Sequence, residues 1–524
     1  MEKKQIKING KIAVEIKING GLFWKVGGPE PSEPNKLVYS ANAAGSTITV
    51  NGETVTLEQG ENIVLDYPNE ITSVKATNNT ALTYIQIPNT VTSIEDGDYN
   101  TGSFYKCTAL ASVSLPDTMT MIGDYAFSGC NKLASINIPY GVTMIGDWAF
   151  SSCKALGSIT LPDSVKSIGN GAFMDCTELA SINIPDGVTM IGNNAFDGCN
   201  KLAYINIPNG VETININTFN GCAALTSITI PDSVKSIGNG AFSNCTELAS
   251  INIPDGVTMI GNNAFMGCAA LGSITLPEGI TTIKNKTFYD CSSLASVNIP
   301  NTVTSIEGGS YGEGAFGECT SLTSVTLPDS LTSIGSFAFD GCNKLASINI
   351  PESVKSIGNG AFAGCSSLAS VTLPNTMSMM GRAIFQDCTS LASVTLPHTI
   401  KKFDSVSMFE GCSSLTSVTL PDNMTIIGAA AFMDCTELAS INIPESVTSI
   451  EGSAFRGCNK LTSITIPSGV KSINYRAFAN CSKLSNFNYN GTKAQWASIT
   501  KGNEWNLDSV IKVVHCTDGD VNIL

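Results

Sequence analysis

The sequence predicts a β-rich repeat solenoid, a coil of short strands and helical turns stacked on itself, with a small β module at the N-terminus. Three observations predict it. Cysteine recurs with a period of 23 from Cys107 to Cys291, again from Cys319 to Cys388 after a step of 28, and from Cys412 to Cys481 after a step of 24. Seventeen of the 18 cysteines are therefore one position of one unit. Proline keeps the same step, nine residues after a cysteine, from Pro116 to Pro467. Finally, hydrophobic residues make up 43% of the chain but charged residues only 14%, so Ser, Thr, Asn and Gly must cover the surface. A fixed period of this length marks an array whose turns bury their inner faces on one another. The length of 524 residues then needs no division into ordinary globular domains.

Each element of the unit has its own reason. The unit reads C-x-x-L-x-S-[IV]-x-[IL]-P-x-x-[VMIL]-x-x-I-G-x-x-A-F-x-x-C, and Cys176–Phe196, CTELASINIPDGVTMIGNNAF, is a clean copy. Leu179, Ile182 and Ile184 point inward from a short strand, while Ser181 and Asn183 point outward, as a two-residue period requires. Pro185 lacks the N–H a ladder needs and closes the strand. Asp186 and Gly187 make a corner. Val188 and Ile191 return inward from a second extended segment, and Gly192 turns the chain again. Ala195 and Phe196 fill the far side on a short helical turn. Cys199 closes the coil as a small buried residue.

The spacing of Leu179, Ile182 and Ile184 matches the L-x-x-L-x-L of leucine-rich repeats. The recurring L-x-S-[IV]-x-[IL]-P and I-G-x-x-A-F-x-x-C pieces, over about residues 71 to 515, resemble the BspA-type leucine-rich repeats of host-associated bacteria and some protozoan parasites. Tyr489–Ile499, YNGTKAQWASI, and Val513–Val521, VVHCTDGDV, resemble that family's usual ending. The resemblance implies adhesion or partner binding, and no catalytic residues.

The organisation along the chain follows. Residues 1–26 read as a β meander, since Asn9-Gly10 and Asn19-Gly20 sit between alternating apolar runs and Asn-Gly is a strong hairpin signal. Residues 27–35, GGPEPSEPN, read as a Pro/Gly linker. Residues 36–70 carry further strands around Asn51-Gly52. Residues 71–106 hold an N-terminal cap and the first long repeat. NTALTYIQIP there matches CTALASVSLP, with Asn79 in the cysteine place. Residues 107–481 form the leucine-rich-repeat array, and residues 482–524 a C-terminal cap in which Trp496 and Trp505 replace the missing next turn. Two units are longer by five residues; their inserts, DGDYNTG and GGSYGEG, carry Tyr99 and Tyr311 and are expected to project as loops. Segments 162–196 and 231–265 are near copies offset by three periods, which reads as internal duplication.

Composition excludes several functions. A net charge of −15 argues against nucleic acid, whose recognition starts from a basic patch, and against anionic membrane surfaces. No apolar run is long enough to span a membrane. A secretory leader needs about 7–15 apolar residues, and the N-terminal region offers only Ile12-Ala13-Val14. Two settings are therefore expected: a cell-surface protein whose leader lies outside this chain, or a virion.

The outward strand positions are the candidate contact surface: Ser181 and Asn183, Tyr204 and Asn206, Ser227 and Thr229, with equivalents along the array. Small polar residues simply solvate a sheet in one reading. In the other they meet a glycan or protein, with Tyr84 and Tyr204 as aromatic anchors and Tyr99 and Tyr311 on the loops. The cysteine column reads as reduced buried thiols, with disulfides and metal as alternatives; side chains in a parallel ladder point alike rather than at one another, and neither a C-x-x-C pair nor a histidine column supports metal. An acidic residue follows the proline in many units, from Asp117 to Glu445. This reads as turn chemistry, with calcium as the alternative, one carboxylate per turn being few for that ion. With two histidines, His398 and His515, in unrelated contexts, and no phosphate loop, nucleophile elbow or zinc pattern, no enzyme and no cofactor are expected. The expected function is recognition or adhesion toward a protein or glycan on a cell surface, with the N-terminal module docking another protein. A bacteriophage tail appendage and a ligand-free spacer are the alternatives.

Overall fold

The computed structural model describes residues 4–8, 11–18, 21–25, 36–67, 69–400 and 406–523. It is a β-solenoid of about 17 turns of ~23 residues, packed as two units, Met1–Ala264 and Phe265–Leu524.

The turn that starts at Cys176 shows the construction. Ser181–Asn183 forms the first strand, exposed–buried–exposed along its length. The backbone N–H of Val188 donates to the Pro185 carbonyl at 3.0 Å and closes the corner. Met190–Ile191 forms the second strand, with Ile191 inward. Both strands pair in parallel with their copies one turn away. Ser158, Ser181 and Tyr204 stand side by side, as do Ile159, Ile182 and Ile205. Met144, Ser167 and Met190 do the same in the second ladder. Identical spacing therefore becomes identical register, and every inward position stacks on its own kind. The longer units keep this register by looping their extra residues out: Ser93 pairs with Met121 in the first unit, and Ser305 with Ser333 in the second.

The third side of the turn differs from the sequence expectation. Residues around Ala195 and Phe196 form hydrogen-bonded turns, not a helical turn. Asp197 N–H donates to the Asn194 carbonyl and Cys199 N–H to that of Phe196, both at 3.1 Å. Asn194 has φ +55° and Gly198 φ +73°. Helix needs an unbroken run of right-handed residues, so two left-handed residues four positions apart rule it out. The described residues contain one α-helix, Lys493–Ser498. The N–H of Phe196 instead donates across to the next turn, to the carbonyl of Thr218, so this side too is stitched turn to turn.

Side chains complete the stitching. The Asn170 amide oxygen accepts from the N–H of Asn193, and that of Asn193 from Ile216, at 2.9 and 3.0 Å. This gives a reason for the Asp or Asn that follows I-G in many turns, such as Asn170 and Asn193. Buried thiols along the array donate to a phenylalanine carbonyl of a preceding turn, as Cys199 does to Phe173 at 3.1 Å, and Cys107 at the start of the column donates to the Ala76 carbonyl. The phenylalanines stack nearly parallel, at 5.2–5.7 Å from Phe104 to Phe242 in the first unit. They do so again at 5.2–5.8 Å from Phe265 to Phe478 in the second.

The ends are closed differently. In the first unit, strands Lys4–Ile8, Lys11–Ile18, Gly21–Lys25, Gly60–Asp66, Lys36–Ala41, Leu82–Gln86 and Ser112–Ser114 lie in that order in one sheet. The Asn9-Gly10 and Asn19-Gly20 turns and the 27–35 linker lie outside the described residues. Asn51 and Gly52, with φ +48° and +84°, join Thr47–Val50 to Glu53–Thr56 in the two-residue hairpin such a pair favours. Asn79, in the cysteine place, uses its amide nitrogen to donate to the Thr47 carbonyl at 2.9 Å, and its oxygen accepts from Ala81 and Leu82. A thiol has one donor and cannot make this set. At the other end, Trp505 meets Phe478 edge-on at 6.2 Å and ends the ring stack, while Trp496 is buried against Phe487 and Trp505. Among the described residues no helix is long and apolar enough to cross a membrane.

Candidate functional site

The first ladder turns one face to solvent, and the predicted contact residues stand on it. Ser181, Asn183, Ser227 and Thr229 are exposed, with Ile182 and Ile228 buried between them. Tyr204 is 63% exposed, a large ring on a carpet of small side chains. Asn206 differs. Its amide accepts from Ile184 N–H at 2.9 Å and donates to the Ile184 carbonyl at 2.8 Å, so it ties two turns together. Tyr84, in strand Leu82–Gln86, is only partly exposed; it hydrogen-bonds Ser114, and burial raises its phenol pKa. Residues after the corner prolines, such as Asp163, Asp186 and Asp255, are solvated. Among the described residues no cluster of three or more His, Cys, Asp or Glu is placed to hold a metal ion.

The inserted loops occupy the same place in their own turns. Gly97 N–H donates to the Asp124 carbonyl, and Gly309 N–H makes the equivalent bond to Ser336. Tyr311 is 96% exposed at its loop tip. Tyr99 instead folds over neighbours. Its ring meets Tyr105 edge-on at 6.0 Å and Tyr125 at 6.4 Å. Tyr125 in turn stacks on Trp148 at 6.1 Å with the planes 8° apart. These rings wall a groove of about 350 Å³, and Ser128, Ser151, Lys106 and Asp175 are among the residues that line the rest of it. Ser128 and Ser151 are buried. Lys106 lies 4.9 Å over the Tyr105 ring.

Of the residues that line the groove, only Tyr99 stands out in the sequence by itself, through its place in a long repeat. The signal for the others was present in the repeat register. Tyr125 and Trp148 occupy the corner position that holds Gly171, Asn194 and Asn217 in the next turns, where the backbone is left-handed throughout. Gly and Asn suit that position best; Lys286, Phe337 and Arg476 also hold it elsewhere, so what sets Tyr125 and Trp148 apart is that two aromatics follow one another in successive turns. Tyr140, 87% exposed beside Pro139, is likewise an aromatic in a position that is aspartate in the turns on either side, Asp117 and Asp163.

A stacked, parallel-laddered repeat with polar flanks defines the class of protein: a leucine-rich-repeat scaffold. Residues 97–226, 212–313, 310–407 and 405–502 match the BspA type leucine rich repeat region, and the chain belongs to that family. Among solved structures it is similar to a leucine-rich repeat protein from Bacteroides ovatus ATCC 8483, with 34% identity over 68% of this chain and 91% of that one and a TM-score of 0.61. It is also similar to a leucine rich cell surface protein from Faecalibacterium prausnitzii A2-165, with 30% identity over 66% and 90% of the two chains and a TM-score of 0.39. A leucine-rich repeat protein of T. pallidum shares 34% identity over 34% of this chain and 81% of that one, with a TM-score of 0.31. No curated protein matches the chain significantly. Repeat proteins of this family and fold are in general non-enzymatic, and leucine-rich-repeat proteins in general bind proteins.

Proposed function

We propose that the protein is a recognition or adhesion protein that presents the outer face of its first ladder to a protein or glycan ligand on a cell surface. One observation carries this reading. The face is a register-matched row of exposed, small, uncharged side chains, Ser181, Asn183, Ser227 and Thr229, around the exposed ring of Tyr204. A partner desolvates such a surface without stripping water from charges, and an aromatic at its centre is the kind of residue that dominates interface energy. Tyr84 and the loop tyrosines Tyr99 and Tyr311 extend the contact in this proposal, with Asn206 holding strand spacing.

The test compares the wild-type protein with a Ser181→Lys/Ser227→Lys double variant on a glycan array and on an array of extracellular host proteins. Both positions are exposed, so folding is expected to survive, as circular dichroism would show. Loss of wild-type binding in the variant supports the face. Retained binding places the contact elsewhere, and blank arrays for the wild type favour a spacer.

A further inference from the structure

We infer that the groove walled by Tyr99, Tyr125 and Trp148 is a binding site for a short neutral oligosaccharide. It lies on the turn side of the coil, uses none of the ladder's outward residues and shares only Tyr99 with the strand-face proposal.

Four observations converge on it. The first is size: about 350 Å³ lies at the lower end of the roughly 300–1,000 Å³ typical of small-molecule sites. The second is the lining. Aromatic residues line it together with Ser128, Ser151, Lys106 and Asp175. A pyranose has the complementary make-up: apolar C–H patches that pack on rings, with hydroxyls around them that both donate and accept. An aliphatic ligand would leave the buried serines unpaired, which is costly. A phosphorylated ligand would meet a single lysine, with Asp175 three turns away, in a chain of net charge −15.

The third observation is backbone conformation. Tyr125 and Trp148 have φ +53° and +57°, a region that large side chains avoid. The following turns meet the same backbone requirement with Gly171 and Asn194, and turns further along with single larger residues such as Lys286, Phe337 and Arg476, but none of these places two aromatics in succession. Folding the repeat therefore does not call for aromatics here, and unfavourable backbone kept at adjacent positions clusters at functional sites. The fourth is support. The far face of Trp148 lies against Gly171, where an added Cβ would come within 2.6 Å of the indole. Gly102, at the base of the inserted loop, lies against the Tyr125 backbone, where a Cβ would come within 2.1 Å of its carbonyl oxygen. With the Tyr125 ring stacked on Trp148, both rings are supported before any ligand arrives, which lowers the entropic cost of binding. Tyr99, 68% exposed on the loop, supplies the outer wall.

The experiment titrates the full chain with maltotriose, cellotriose, chitotriose and mannotriose by calorimetry and tryptophan fluorescence, after a glycan array has ranked neutral oligosaccharides. A neutral oligosaccharide is expected to bind and to change tryptophan emission. Tyr99→Ala is expected to weaken it roughly tenfold, and Trp148→Ala to abolish detectable binding. Tyr99 sits on a loop outside the core, so its variant stays informative if Trp148→Ala misfolds. Ser181→Lys/Ser227→Lys is expected to leave this binding intact. The inference is overturned if no neutral oligosaccharide binds, if Tyr99→Ala binds as the wild type does, or if the strand-face variant alone loses the sugar.

Discussion

At the scale of the residue, the cysteine column is the plainest case of one side chain repeated for one reason. Each site is small, apolar and closed by the neighbouring turns, and the thiol proton is taken by a backbone carbonyl, as in Cys153 to Phe127 at 3.2 Å. Burial pushes the Cys153 thiol up to about 12, against the slight lowering from its backbone partner. The thiolate is the reactive species, so these groups should be inert while the fold holds. Ellman's reagent is expected to modify Cys516 quickly, since it alone is not fully buried, and the other seventeen only on unfolding. Several fast-reacting thiols in the folded protein would contradict this placement. The same scale explains Asn79, where a two-donor amide replaces the thiol because the neighbouring backbone is a hairpin rather than another turn.

At the scale of the element, the unit is governed by its corners. Two left-handed residues per turn set the third side and prevent helix, so the glycine or asparagine at those places is conformational in origin. Gly171 tests this together with the packing of the groove. Its φ is +56°, and a Cβ would come within 2.6 Å of Trp148. Gly171→Ala is expected to destabilise the protein by about 1–3 kcal/mol through strain and overpacking and to shift tryptophan emission. A control at Gly272, where an added Cβ meets nothing within 4 Å, should change neither. Equal effects at the two sites would show that the ring and the glycine are not packed as described.

At the scale of the whole molecule, the solenoid is a sum of nearest-neighbour contacts, and that allows a cut no globular core would survive. Segments 162–196 and 231–265 are near copies offset by three whole periods. Excising residues 162–230 joins Leu161 to Pro231, the same junction the wild type makes between Ile230 and Pro231 but for the side chain. The shortened chain is expected to fold with unchanged strand signal per residue and cooperative melting, since every remaining turn keeps equivalent neighbours. An excision of half a period from the same place breaks register and should not fold. If the two deletions behave alike, the turns are not the independent structural units proposed.

Period and polarity were enough to determine the stacked turns, the inward set typified by Leu179, Ile182 and Ile184, and the proline corner, because a one-dimensional repeat converts sequence spacing directly into spatial register. Three features were settled only by the tertiary structure. The Ala195-Phe196 side became turns rather than helix, since left-handed residues are identified by backbone angles and not by composition. Asn206 was withdrawn from the open face to the backbone of the previous turn. Most of all, Tyr99, Tyr125 and Trp148, which belong to three successive units of the sequence, became walls of one groove. That meeting depends on where an inserted loop folds back, and the period of the array carries no information about a loop that departs from it.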